Sequence, residues 1–326
     1  GAALEAAASI DTVVFDKTGT LTVGAPTLVH VTPFGDWTEA TILPLASAAE
    51  SVSEHPLGAA IVKAAGARGL VTPPPHDVQV VPGHGIRATA EGRVVLVGSS
   101  RWLAREGVDV AAAEAHALSL ASRGATPVLV AVDGALAALL GIADAARDDA
   151  VEAVAALVAR GVRVALLSGD APETARAVGG QLGIADVEGG IRPDDKVARI
   201  EARERAGQRV AMAGDGINDA AALARATVGI AMGSGSDLAI ASAGVVLLRP
   251  TVGAVHETIV LARAVRRVIR QNLAWAFGYN ILALPVAAGL LYPSLGWRLS
   301  PMLASALMAL SSVVVVLNAL RLRAAR

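Results

Sequence analysis

Four short polar runs in this chain carry groups suited to phosphoryl chemistry. They are Asp16-Lys17-Thr18-Gly19-Thr20-Leu21-Thr22, Ser168-Gly169-Asp170, Lys196 just behind Arg192-Pro193-Asp194-Asp195, and Gly214-Asp215-Gly216-Ile217-Asn218-Asp219. An aspartate at position 16, beside a lysine and free backbone N–H groups, can attack a phosphorus atom or hold Mg²⁺. Mg²⁺ takes octahedral oxygen ligands, and Asp16, the Thr18 carbonyl, Asp215 and a phosphate oxygen would supply them, with Asn218 and Asp219 ordering the loop or a metal-bound water. Lys196 offers a fixed positive charge. Ser168 and the Gly169 N–H can donate to phosphoryl oxygens, and Lys17 and Asp170 complete the charged set.

These runs must converge from distant parts of the chain, and the apolar segments ahead of them say how. Thr12 to Phe15, Arg163 to Leu167 and Val210 to Ala213 are short apolar runs that each end at one of the polar groups, the pattern of buried strands. Val228 to Met232 and Val245 to Leu248 read as two more, Pro172 opens a helix to Leu182, and Lys196 sits at a helix start. Strands alternating with helices predict a parallel, doubly wound α/β sheet with its site at the carboxyl ends of the strands.

Between Val23 and Ala138 the pattern changes. Thr38 to Ala49 and Pro56 to Ala67 have helical spacing, and Thr72-Pro73-Pro74-Pro75 is a stiff connector. Gly85 to Ala90 and Arg93 to Val97 read as strands joined at Glu91-Gly92, and Val128 to Val132 pairs with Leu136 to Ile142 across Asp133-Gly134. This is an inserted α+β domain. Within it, Ser53-Glu54-His55-Pro56-Leu57-Gly58 sets an imidazole before a helix-starting proline, and Pro82-Gly83-His84-Gly85-Ile86 offers backbone that a flat ligand or phosphate could approach. Taken singly, a histidine near a helix start is more often a cap or surface residue, and a lone G-x-G is usually a turn.

The seven-residue run from Asp16 to Thr22 resembles the phosphorylation motif of the P-type ATPases, and the four strand-end groups resemble the haloacid-dehalogenase-like superfamily. The resemblance implies a phosphorylation domain over 1–27 and 138–255, a nucleotide-binding domain over 28–137, and a stalk with two membrane helices over 256–326. It also implies that Glu50, His55, Pro56, Gly83 and Gly85 hold ATP, and that Asp144 and Arg147 form a hinge between the two domains. Phosphatases of the superfamily carry a second aspartate where this chain has Thr18, so an aspartyl-phosphate should persist here. Three further positions depart from the family pattern: Ser99 for Asn, Ser168 for Thr and Ala221 for Pro.

Composition sets the outer bounds. The chain has 326 residues, 54% of them apolar, a formal charge of −1 and no cysteine. A near-neutral balance argues against a nucleic-acid partner, and the missing thiols exclude disulfides, zinc ribbons and a cysteine nucleophile. Residues 271–292 and 301–320 are each long enough, at about 1.5 Å per residue, to cover a roughly 30 Å hydrocarbon core. Arg263, Arg266, Arg267 and Arg270 precede the first and Arg321, Arg323 and Arg326 follow the second, which predicts cytoplasmic flanks and cytoplasmic catalytic domains on a multi-pass protein of the plasma membrane. Tyr279 and Asn280 in one segment, and Met308, Ser311 and Ser312 on one face of the other, resemble the last two helices of the copper(I)-transporting branch. A soft thioether suits Cu(I); Ag(I), Cu(II) and Zn(II) are the alternatives. Residues 1–9 have no signal-peptide pattern, and the chain reads as the C-terminal part of a longer pump whose N-terminal part is a required partner. A haloacid-dehalogenase-like phosphatase and a non-catalytic membrane remnant are the competing readings.

Overall fold

The computed structural model describes the whole chain except residues 216–218, 234–235, 291–292, 294–299 and 323–326, with the side chains of Pro301, Ala304 and Leu307 also left aside. The chain forms two compact units, Asp11–Val255 and a second made of Gly1–Ile10 with His256–Arg326.

After a short helix α1 (Ala2–Ala7), strand β1 (Thr12–Asp16) runs fully buried through the first unit. The insertion that follows begins with β2 (Thr27–Pro33), α2 (Glu39–Glu50), α3 (Pro56–Ala67) and β3 (His76–Val81). It continues through β4 (Gly85–Ala90), β5 (Arg93–Gly98), α4 (Ser100–Arg105), α5 (Ala111–Ala121), β6 (Thr126–Val132) and β7 (Ala135–Ala143). The first layer then resumes with α6 (Ala150–Ala159), β8 (Arg163–Leu167), α7 (Pro172–Gln181), β9 (Asp186–Glu188), α8 (Pro193–Arg205) and β10 (Val210–Gly214). It closes with α9 (Ala220–Arg225), β11 (Val228–Met232), α10 (Asp237–Ser242) and β12 (Val245–Leu247).

The strands make two six-stranded sheets. One is parallel throughout, in the order β12-β11-β10-β1-β8-β9, with β1 at its centre between β8 and β10. Its inner strands β1, β8, β10 and β11 carry mostly apolar, buried runs, as strands covered on both faces require. Val13, Val14 and Phe15 have no exposed surface. The other sheet, β2-β7-β6-β5-β4-β3, is antiparallel and buries one face against α2 and α3, with Ile42, Leu43, Ile61, Val95 and Val130 at its heart. All the strands expected from sequence are present. Three that were not expected, β2, β3 and β9, lie at sheet edges, where exposed backbone and short length leave no buried alternation to read.

The long helix α11 (Val252–Ala287) runs for 36 residues, through Pro285, and α12 (Pro301–Leu320) for 20. At the start of α11, Gly253 N donates to Asp149 Oδ2 at 2.7 Å and Ala254 N to Thr251 Oγ1 at 3.3 Å, so two of the orphan amides of its first turn are satisfied. Asn318 of α12 donates to Asn272 of α11 at 2.8 Å. The sequence predicts two membrane spans here. Among the described residues no helix is long and apolar enough to cross a membrane, and residues 291–292 of the first expected span lie outside them.

Phe15 fills the centre of the parallel sheet. Phe15→Ala is expected to lower the unfolding free energy by about 3–5 kcal/mol, the usual cost of emptying a buried aromatic site, read as a fall in the urea midpoint at unchanged slope.

Candidate active site

Because β1 is central and parallel to both neighbours, its last residue emerges where β8 and β10 also end. Asp16 sits there, 7% exposed, opposite Leu167 in the register, with Ser168 the next residue along β8. Helix α8 opens on Pro193, which suits a first turn, and its fourth residue, Lys196, reaches back over the strand ends. Lys196 Nζ donates to Asp16 Oδ1 at 2.6 Å and to Asp219 Oδ1 at 2.6 Å. All three side chains are nearly sealed from solvent, and Asp215, at the exit of β10, is less buried.

Such crowding of acids has an electrostatic cost. Burial, then the charge of Asp219, push the Asp16 carboxyl up to about 7, against the pull of Lys196. Burial and Asp219 likewise push Asp215 up to about 6. Burial opposes the Lys196 charge, but Asp16 and Asp219 outweigh it and hold the ammonium above its ordinary range. Carboxylate oxygens of Asp16, Asp215 and Asp219 lie within 4.8 Å of one another. A hard, all-oxygen, mutually repelling set of this kind fits Mg²⁺, which would relieve the repulsion.

The turn after Asp16 is fixed from behind. Gly19 has φ +73, and a Cβ built there would lie 1.6 Å from Asp215 Oδ2, so a side chain and the carboxylate cannot coexist. Arg147 donates through Nη2 to Gly19 O at 2.7 Å and through Nε to Thr20 O at 2.9 Å. Asp144 accepts from the Thr22 hydroxyl at 2.5 Å, from Gly24 N at 3.1 Å and from Ala25 N at 3.2 Å. The pair expected as an inter-domain hinge thus makes direct bonds to the turn that carries Asp16. Thr22 belongs to the seven-residue run read from the sequence, but its bond to Asp144 carried no signal there.

Ser168 is 1% exposed, and its Oγ accepts from Asp170 N at 3.1 Å. Asp170 pairs with Lys17 and lies 3.5 Å from the Thr126 hydroxyl of β6, so it touches both sheets. Thr18 is exposed in the turn. Asn218 lies outside the described residues.

Of the second expected cluster, Glu50, His55 and Pro56 lie at the junction of α2 and α3. Burial pushes the Glu50 carboxyl up, partly offset by a hydrogen bond from Ser53. The Glu50 carboxylate packs on Gly58, where a Cβ would come within 2.3 Å of Oε2. His55 caps α3, its Nδ1 accepting from Leu57 N at 3.2 Å, and Pro56 takes the first helical position. Burial pulls the His55 imidazole down, and the charge of Asp170 acts in the opposite sense. Gly83 lies in the β3 to β4 turn at φ +74, and a Cβ on Gly85 would meet Val97 O at 2.4 Å and the Trp102 ring at 2.5 Å. Trp102, which fills the space left by Gly85 and Gly98, was not among the expected site residues.

The proposed metal path is not gathered in the same way. Asn280 Nδ2 donates to Ala276 O at 2.9 Å and Ser312 Oγ to Met308 O at 3.3 Å, each within its own helix. Met308 is exposed, and Tyr279 and Ser311 are half-buried.

A family model described as haloacid dehalogenase-like hydrolase matches residues 10–227, and a second of the same description matches 199–259. The chain is 44% identical to "Copper-transporting ATPase 1" of Rhizobium meliloti over 99% of its own length and 39% of that protein's. It is 45% identical to the "Silver exporting P-type ATPase" of Salmonella typhimurium over 99% of its length and 39% of that protein's. The crystal structure of a zinc-transporting PIB-type ATPase in an E2.Pi state superposes with a TM-score of 0.75 at 36% identity, covering 98% of this chain and 51% of that one. The chain thus spans about two fifths of the length of the curated relatives it matches.

The raised carboxyls give a stability signature. A folded Asp16 that keeps its proton up to about 7 and an unfolded one that loses it near 3.8 make the folded state bind more protons between those values, so stability is greatest at the acid end and falls as pH rises. Without divalent cation, urea midpoints should decline from about pH 4 to about pH 7; Asp16→Asn should remove most of that decline, and Mg²⁺ should oppose it. Gly19→Ala should abolish the Mg²⁺ effect by displacing Asp215, measured by the same titration.

Proposed function

Because this chain belongs to the haloacid dehalogenase-like hydrolase family, on its P-type ATPase branch, we propose that it is the phosphorylating and nucleotide-binding part of an ATP-driven heavy-metal pump. Asp16 takes the γ-phosphoryl group of ATP, and the cargo is Cu(I), exported from the cell. The observation that carries this reading is the bridge from Lys196 to both Asp16 Oδ1 and Asp219 Oδ1 at 2.6 Å, beside Asp215.

The bridge uses Asp16 Oδ1 and leaves Oδ2 for the phosphorus. As Oδ2 bonds to the γ-phosphorus, the bond to the β,γ-bridging oxygen breaks, and ADP leaves with the electron pair. Lys196 pulls Asp16 toward its ionised form against burial and the charge of Asp219, and opposes the charge gathering on the phosphoryl oxygens. Ser168 Oγ and the Gly169 N–H donate to those oxygens. Asp16, the Thr18 carbonyl, Asp215 and Asp219 would hold Mg²⁺, which would supply charge neutralisation on the phosphates. Glu50, His55, Pro56, Gly83 and Gly85 hold the nucleotide, with the imidazole on the side of Asp170. No acid stands two residues after Asp16 to protonate a leaving group, which favours a lasting aspartyl-phosphate over a phosphatase cycle.

Transport itself is proposed for a protein with the relatives' full set of segments. The membrane reading draws on the exposed apolar side chains of α11 and α12, among them Trp275, Phe277, Leu282 and Leu284, and on the arginines ahead of them, which favour a cytoplasmic catalytic side at the plasma membrane. Cu(I) is favoured by the Met308 thioether and by the absence of any charged residue in 271–292 and 301–320. Tyr279, Asn280, Ser311 and Ser312 would then line its path with Met308.

Incubation of the chain with Mg²⁺ and γ-labelled ATP is expected to leave an acid-stable, hydroxylamine-labile label. Asp16→Asn should abolish it, and Lys196→Ala should reduce it by about two orders of magnitude, the loss typical of one preorganised charge. A label that persists in Asp16→Asn overturns the nucleophile.

A further inference from the structure

On α11 the residues Arg263, Arg266, Arg267 and Arg270 recur at i, i+3, i+4 and i+7, so they share one helix face over about 10 Å of rise. They line a groove of about 510 Å³ together with Ala8, Gln271 and Ala274. Arg263 is partly committed, donating through Nη2 to Ile10 O at 2.7 Å, which closes one end of the groove. None of the described ion pairs includes Arg266, Arg267 or Arg270, and all three are exposed. By contrast Arg203 is answered by Asp186 and Glu188, and Arg225 by Glu201 and Glu204.

The groove lies where the helix changes character. One turn beyond Arg270 the exposed side chains become apolar, with Leu273 51%, Trp275 63% and Phe277 64% exposed. A ligand that satisfies both stretches must carry its negative charge within a few ångströms of hydrocarbon. We propose that this groove is a binding site for the headgroup phosphate of an anionic phospholipid, with the acyl chains lying along the apolar surface of α11. Guanidinium forks match phosphate oxygens bidentately, and basic pockets beside membrane helices take such headgroups. A protein acid would meet the charge but not the apolar stretch. The inference rests on the reading that α11 enters a bilayer beyond Gln271.

The test separates the two ideas. Flotation of the chain with vesicles of phosphatidylcholine alone reads bilayer insertion without any anionic lipid. Native mass spectrometry, after exposure to mixed phosphatidylcholine and phosphatidylglycerol, reads the site. The chain is expected to float with the neutral vesicles and to retain phosphatidylglycerol in preference to phosphatidylcholine. The triple variant Arg266→Gln/Arg267→Gln/Arg270→Gln should float equally well but lose that preference by roughly a hundredfold, about fivefold per arginine. Arg266→Lys/Arg267→Lys/Arg270→Lys should keep most of it. Flotation with equal retention of both lipids, or a preference that survives the glutamine variant, overturns the site while leaving insertion standing. Failure to float with neutral vesicles overturns both. Displacement of phosphatidylglycerol by millimolar inorganic phosphate would make this a free-phosphate site and overturn the lipid assignment.

Discussion

One ammonium group makes the strand-end cluster possible. Asp16, Asp215 and Asp219 crowd their oxygens within 4.8 Å, two of them deeply buried, and Lys196 is the buried cation that bonds directly to two of these acids. A pair of buried carboxylates with no counter-charge would protonate or force the loops apart. Lys196 instead holds two loops, one from β1 and one from β10, at a fixed separation, and it can do so only because α8 starts where the parallel strands finish. The arrangement remains short of positive charge, since Asp16 and Asp215 both stay above the ordinary carboxylate range. That residual imbalance is what suits the site to a divalent cation and to a phosphate that arrives with it.

The parallel layer and its chemistry were legible because they rest on local rules. Apolar runs of strand length end at Asp16, Ser168 and Asp215, and parallel strands of one sheet necessarily bring their carboxyl ends to one edge. What was not legible rests on contacts across long separations. Nothing near Thr22 announces that its hydroxyl meets Asp144, more than a hundred residues away, and nothing near Trp102 announces that its ring lies against Gly85 and Gly98. The edge strands β2, β3 and β9 escaped notice for a different reason: they carry half-exposed or very short segments whose pairing is decided by their neighbours. Residues 271–292 and 301–320 read as spans from hydropathy, and the described helices there expose large apolar side chains without meeting the length and apolarity of a crossing helix.

The two sheets are also chemically distinct. The parallel one concentrates charge at one edge, whereas the antiparallel one offers a cap, two glycines and a half-buried glutamate, groups suited to a flat, polar ligand. Asp170 stands between them, paired with Lys17, close to Thr126 and felt by His55. A polyphosphate that reached Asp16 would compete with this carboxylate for Lys17.

The six residues from Asp144 to Asp149 sit where the inserted sheet hands the chain back, and they do three jobs at once. Asp144 and Arg147 brace the turn after Asp16, and Asp149 caps the first turn of the long helix through Gly253. The exit strand, the nucleophile's turn and the helix start therefore share one short crossbar. A displacement of the inserted sheet relative to the parallel layer would load these bonds, so residues 144–149 act as a tie between three elements and not as a slack linker.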